Sequence, residues 1–284
     1  MGREPQRTGV HPLTRADRGA VMKETTPDIL IEESESYARI IFNRPHARNA
    51  ITTTMWAELP TLMRRLRSHR SIRAIILSGA GGKAFSSGTD IGELRRFTDA
   101  KAARAYETLV VRALNSLVRC PLPVIAMIQG HATGGGCHIA LACDLRIVGE
   151  SAQFGIPAAK LGGAVNPGVV GRLVSLVGPA VAKEMLYGAR SLNARRALEV
   201  GLVNHVVPDA ELEGYTLSFV RQIALNAPLT IRHAKESVNW IAAEGRSLAP
   251  QEIRHHFIKA FTSRDFKEGL EAFLSGRAAR FQGR

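Results

Sequence analysis

Three consecutive glycines, Gly134, Gly135 and Gly136, follow the apolar run Pro123 to Ile128 and open a small apolar stretch, Cys137-His138-Ile139-Ala140-Leu141-Ala142-Cys143-Asp144. The pattern predicts a strand, a tight turn and a helix. Glycines at a helix start leave backbone N–H groups bare and let a ligand approach the main chain. Such N–H groups stabilise developing negative charge without help from a side chain. A second glycine-bearing turn, Lys83-Ala84-Phe85-Ser86-Ser87-Gly88-Thr89-Asp90-Ile91, lies upstream. If both turns end parallel strands at one sheet edge, each aims one N–H at a common point. Two such donors make an oxyanion hole for an enolate or a tetrahedral intermediate, worth about 3 kcal/mol per donor. Taken singly, each turn is weak evidence, because a glycine-rich turn more often serves packing.

The elements that must hold these turns are legible upstream and downstream. Ile29 to Ile31 and Ala38 to Phe42 read as strands joined by a polar turn. Ile51, Met55, Leu59, Leu62, Met63 and Leu66 fall at helical spacing and predict a helix from about Thr52 to Arg67, with Pro60 as a candidate kink. Ala74 to Leu77, Pro123 to Ile128 and Asp144 to Val148 read as buried strands, with a helix from Lys101 to Val118 between the first two. Strands alternating with helices imply an α/β fold with parallel, buried strands. After Pro179 the pattern turns helical: Ala180 to Tyr187, Ala194 to Val200, Glu211 to Leu225, Leu229 to Ala243, Pro250 to Ala260 and Phe266 to Leu274, with one short strand at Val203 to Val207.

The 284 residues are 45% hydrophobic and 22% charged, ordinary for a globular protein with a real core. No apolar run is long enough to span a bilayer. Residues 1–25 are polar, with Arg3, Arg7, Arg15 and Arg18 balanced by Glu4, Asp17 and Glu24. They lack the apolar block of a secretory signal, and their acidic residues argue against a transit peptide. We expect a disordered extension, with Met22 as a second candidate start. Cys120, Cys137 and Cys143 show no metal-site spacing and suggest a reducing, cytoplasmic setting without a metal. The net charge of +13 asks for an anionic partner. Its arginines are dispersed, however: Arg64, Arg65, Arg67, Arg70 and Arg73 near one helix, Arg95, Arg96 and Arg104 near another. Aromatics make up 6% and do not alternate with basic residues as stacking platforms would. Solvated helix faces come first, then a phosphate-bearing small ligand, with nucleic acid last.

The ordered motifs Phe42-Asn43-Arg44-Pro45, Asn49-Ala50-Ile51, Ala84 to Asp90, Gly130 to Asp144, Gln153-Phe154-Gly155-Ile156-Pro157, Gly201-Leu202-Val203-Asn204 and Glu268 to Phe273 give the chain a close resemblance to the crotonase (enoyl-CoA hydratase/isomerase) family. The resemblance runs from about Ile29 to the C-terminus. It implies an α/β fold with a crotonase-like ββα spiral core over 26–220 and a helical oligomerisation region over 221–284. It implies an acyl-CoA thioester substrate, with coenzyme A as part of the substrate and no prosthetic group. It places the thioester carbonyl between the N–H groups of Thr89 and Gly135, and the adenine near Ser87 to Ile91. Arg44, Arg48, Ala50, Lys83, Ser87, Gly88, Asp90 and Ile91 become candidate CoA contacts, while Asp90 also suits a helix cap. The resemblance further implies a homotrimer or a dimer of trimers.

The family's two hydratase glutamates are missing. His138 stands where one would lie and Ala158 where the other would, and Gly162-Gly163-Ala164-Val165-Asn166-Pro167-Gly168 departs from the family's glycine-rich run. Alanine moves no proton, so the two-glutamate hydration mechanism does not carry over. His138 sits at a helix start, which disfavours imidazolium, and a neutral ring beside an enolisable thioester is a general-base candidate. His131 and Glu93 are weaker candidates. The same residues also suit a decarboxylase or thioester hydrolase, a catalytically impaired acyl-CoA-binding protein, or a basic RNA-binding member of the fold.

Overall fold

A computed structural model describes residues 27–95, 99–244 and 251–284, so the expected extension over residues 1–25 lies outside the described residues. Strands β1 (Ile29–Glu33) and β2 (Tyr37–Phe42) form the antiparallel hairpin that the polar turn predicts, with Ile29 opposite Phe42. Helix α1 (Thr53–Ser68) begins where the Thr52 hydroxyl accepts the Met55 N–H at 3.2 Å. It buries the expected stripe, adds Trp56 to it, and runs unbroken through Pro60. There follow β3 (Ala74–Gly79), β4 (Ala84–Ser86), α2 (Ile91–Leu94), α3 (Ala100–Val118), β5 (Val124–Ile128), β6 (His131–Thr133) and α4 (Gly135–Ala142). Next come β7 (Leu145–Gly149), β8 (Gln153–Gly155), α5 (Ala158–Leu161), α6 (Pro167–Gly188), β9 (Leu192–Asn193), α7 (Ala194–Glu199) and β10 (His205–Val207). Helices α8 (Leu212–Ala224), α9 (Pro228–Glu244), α10 (Gln251–Phe261) and α11 (Arg264–Leu274) complete the chain.

The larger sheet has the order β1-β2-β3-β5-β7-β10, and every pair beyond the first hairpin is parallel. Its central strands are fully buried, as their continuous apolar runs require. A smaller sheet has the order β4-β6-β8-β9, parallel except for the last pair. This corrects one expectation. The apolar strand β5 does not lead directly into the triple glycine; it belongs to the larger sheet, and the three-residue β6 intervenes. Both glycine turns therefore leave adjacent parallel strands of the smaller sheet, β4 and β6.

A second correction concerns α6. It starts at Pro167, well before Ala180, where the Asn166 side chain accepts the Gly168 N–H at 2.8 Å. Gly178 (φ 75°) then breaks the helical geometry in front of Pro179. The glycines around both ends hid the first half from a periodicity reading.

Two buried cations tie the helices to the core. Arg146 donates to the carbonyls of Ala140 (3.1 Å), Cys143 (2.8 Å) and Leu202 (2.7 Å), which places a positive charge at the C-terminal end of α4. Lys235 of α9 lies 2.7 Å from the Asp144 carboxylate and donates to the Leu122 carbonyl at 2.9 Å. The division at 220/221 falls inside α8, whose Leu212 and Val220 pack with Ile76, Ile125 and Ile147 on the large sheet.

Candidate active site

The first turn is assembled by backbone pairing with the segment before α1. Ser87 N–H donates to Arg48 O (2.9 Å), Ile51 N–H to Gly88 O (2.7 Å) and Asp90 N–H to Ile51 O (3.0 Å). Gly88 N–H donates to the Ser86 hydroxyl at 3.1 Å. The buried Asn49 staples this segment to β4: its amide donates to Ala84 O (2.7 Å) and Ala80 O (2.9 Å), and its oxygen accepts the Arg44 N–H (3.0 Å). The pairing occupies the donors on either side of Thr89, whose own N–H has no acceptor among the described residues.

At the second turn Gly134 adopts φ 51° and donates its N–H to Gly155 O at 2.8 Å. Gly135 is the first residue of α4, and its N–H likewise has no acceptor among the described residues. The two free donors are neighbours. A Cβ built on Gly135 would lie 3.2 Å from both Thr89 N and Thr89 Oγ1, and 3.0 Å from Trp56 Cζ2. One built on Gly88, at φ 104°, would lie 3.1 Å from Gly135 N. The small space between Thr89 and Gly135 thus exists because these positions are glycine. Two unpaired N–H groups around such a space are able to hold a single oxygen atom.

Groups of different character lie on this turn and on the elements packed beside it. The Thr89 hydroxyl meets the Tyr106 hydroxyl of α3 at 2.5 Å, and burial raises the Tyr106 phenol above its ordinary range, so it stays protonated. His138 follows one turn into α4, its N–H on Gly134 O at 2.9 Å. Its Nε2 is buried without a hydrogen-bond partner among the described residues. Burial first, and the nearby Arg172 charge second, pull its pKa down to about 4. The ring is neutral at pH 7 as the sequence suggested, with burial as the leading cause. Arg172 of α6 donates to Asn115 Oδ1 of α3 at 3.1 Å. Ala158 opens α5 and packs partly buried against the core.

Other candidates are placed elsewhere or already engaged. Glu93 accepts the Thr53 N–H and the Thr53 hydroxyl at the head of α1, and its charge also acts on Tyr106. His131 is exposed at the start of β6. Asp90 caps α2 through the Gly92 N–H (2.9 Å) and accepts from Arg44 (2.9 Å), which holds its carboxyl below the usual range. Arg44 also donates to Ala50 O at 2.8 Å and lies 3.7 Å from Asp28. Ser87 donates its hydroxyl to Ala47 O at 3.2 Å. Arg48, Lys83 and Ile91 are exposed beside the turn, Ile91 with 67% of its surface open. Tyr106, Arg172 and Asn115 escaped the sequence reading, because nothing in a helix's own pattern announces a contact made by a distant element.

The enoyl-CoA hydratase/isomerase family profile matches residues 32–284. A short-chain-enoyl-CoA hydratase from Clostridium acetobutylicum is 32% identical over 252 residues, covering 88% of this chain and 95% of the relative. A crotonyl-CoA hydratase from Syntrophomonas wolfei is 34% identical over 256 residues, covering 89% and 97%. The solved structure of an enoyl-CoA hydratase/carnithine racemase from Magnetospirillum magneticum superposes with a TM-score of 0.85 at 32% identity, covering 92% of this chain and 97% of that one. The fold is therefore the crotonase α/β fold with a helical C-terminal region. The chain belongs to the enoyl-CoA hydratase/isomerase family of acyl-CoA enzymes.

Proposed function

We propose that the chain catalyses an enolate-forming proton transfer on the acyl group of a CoA thioester, with double-bond isomerisation as its net reaction. The carrying observation is the pair of unpaired N–H groups, Thr89 and Gly135, around one small space. The thioester oxygen accepts both, which stabilises the enolate by about 3 kcal/mol per donor. His138 Nε2 takes the proton from one carbon of the enoyl chain, and the electron pair moves to the thioester oxygen. The imidazolium then returns the proton to the other end of the conjugated system. The enolate beside the ring counters the pKa depression that burial imposes, because an opposite charge favours the protonated form. One base completes this reaction alone, whereas hydration in the two-glutamate manner needs the carboxylate that Ala158 replaces. Arg48 and Lys83 are free to meet the CoA phosphates, Ile91 to cover the adenine, and Arg44 keeps the Asp90 turn in shape. The C-terminal helices leave Phe257, Ile258, Phe261 and Phe273 exposed, which supports self-association into the trimeric or dimer-of-trimers form.

The test is α-proton exchange of butyryl-CoA in D2O by NMR, beside equilibration of 3-enoyl- and 2-enoyl-CoA. Exchange that needs His138, lost in His138→Ala with acyl-CoA binding intact, is the expected result. Exchange at an unchanged rate in His138→Ala overturns the assignment of the base. Tight binding with no exchange in the native chain favours the alternative motivated by Ala158, an acyl-CoA-binding protein without turnover.

A further inference from the structure

Four arginines line one open groove of about 760 Å³ along the seam of α1 and α3. Arg64 and Arg67 stand one turn apart on α1; Arg112 stands on α3 and Arg119 caps its C-terminal end, about two turns further along. Their neighbour Arg65 is paired with Glu33 at 3.1 Å, but none of these four has an ion pair among the described residues. Among the described residues, the one carboxylate lining the groove is Glu107, and it accepts from the Asn166 amide at 2.8 Å. Like charges at i,i+3, as at Arg64 and Arg67, oppose their own helix. An anion would relieve that repulsion. Thr108 and Ser116 also line the groove, but their hydroxyls donate back to their own helix, to Arg104 O (2.8 Å) and Ala113 O (2.6 Å), which leaves anion recognition to the guanidinium groups.

The size lies within the usual range for small-molecule sites. Among the described residues no aromatic side chain lines the groove, so single-stranded nucleic acid would find no stacking platform there. Guanidinium forks match phosphate oxygens two at a time. Part of the lining adjoins the candidate site, since Asn115 accepts from Arg172, while Arg64 stands well away from the thioester cradle. Arg64 lies twelve residues along α1 from Thr52, beside the Ile51–Thr89 bridge, or roughly 18 Å at 1.5 Å per residue. We propose that this groove binds a compact anion carrying two or more phosphate groups. The shared chemistry admits two sources, a free polyphosphate compound or the phosphates of coenzyme A itself.

The test is calorimetric titration of the full chain with inorganic triphosphate in about 0.15 M salt, where loose surface attraction is largely screened. Saturable binding is expected, weakened about tenfold or more in Arg64→Gln/Arg112→Gln and again in Arg67→Gln/Arg119→Gln. All four side chains are exposed, so circular dichroism should show the fold retained. Lys183→Gln/Arg190→Gln removes the same charge from exposed positions outside the groove and should leave binding unchanged. Competition by CoA, with CoA affinity falling in the groove variants, assigns the anion to CoA; triphosphate that stays bound beside CoA assigns a separate ligand. No saturable binding, equal weakening by the control pair, or single-stranded RNA bound through these arginines while triphosphate is not, overturns the proposal.

Discussion

Gly135→Ala places one methyl group where the thioester oxygen should sit. The backbone there is helical, and Gly135 is not among the positive-φ glycines, so alanine meets no conformational strain. The new carbon would stand 3.2 Å from Thr89 N and Thr89 Oγ1 and 3.0 Å from Trp56 Cζ2. Trp56 is fully buried and unable to move far, so the methyl stays in the cradle. Overpacking by one methyl costs about 1–3 kcal/mol, offset by up to about 1 kcal/mol of helix propensity. The fold should survive with a modest fall in Tm. Activity should not. Removing one oxyanion donor costs about 10²- to 10³-fold in kcat, and here both donors are screened from the oxygen. The assay is kcat/KM for α-proton exchange, read beside the melting curve. An exchange rate within about threefold of the native chain, with the melting curve intact, refutes the placement of the carbonyl between Thr89 and Gly135. Gly136→Ala is the contrast: its Cβ would lie 2.5 Å from Ser86 O, a backbone clash. That variant should fail in folding instead of chemistry.

Replacing His138 with Leu removes a buried nitrogen that has no partner, so stability should rise by about 1–2 kcal/mol while exchange is lost, measured by urea unfolding and NMR. Acid should act through the same ring. Its pKa is about 4 in the folded chain against an ordinary 6.5, so the unfolded chain takes up a proton between those values that the folded chain refuses. Stability should therefore fall as pH drops from 6.5 to 4, by up to about 3 kcal/mol, and this component should vanish in His138→Leu. For the same reason, the acid limb of kcat/KM for the free enzyme should lie near pH 4. Lys235→Met should destabilise by about 3–5 kcal/mol in chemical denaturation, because Asp144, whose carboxyl burial raises, would lose its cation and α9 its anchor.

What the sequence made legible follows from what it encodes locally. The glycine turns stood out because three consecutive glycines have few other uses, and β3 and β5 stood out because buried parallel strands are continuous apolar runs. Strands β4, β6, β8 and β9 have two or three residues each, too few to show a period, so the smaller sheet that launches both turns was invisible. The first half of α6 was hidden by Pro167, Gly168 and Gly171. In the candidate site, Thr89, Gly135 and His138 were named through the family resemblance that the motifs carry. Tyr106, Asn115 and Arg172 were not, since each matters through a partner on another element. Arg44 reads in sequence as a free cation near a phosphate; the fold instead commits its guanidinium to Asp90 and Ala50.

The central claim is that two backbone N–H groups grip the thioester carbonyl. Isotope-edited infrared spectroscopy of ¹³C-carbonyl butyryl-CoA bound to the chain tests it most directly. The carbonyl stretch should lie at lower wavenumber than in water, with the shift abolished in Gly135→Ala. A bound carbonyl that absorbs where it does in water, or whose shift survives that methyl group, contradicts it.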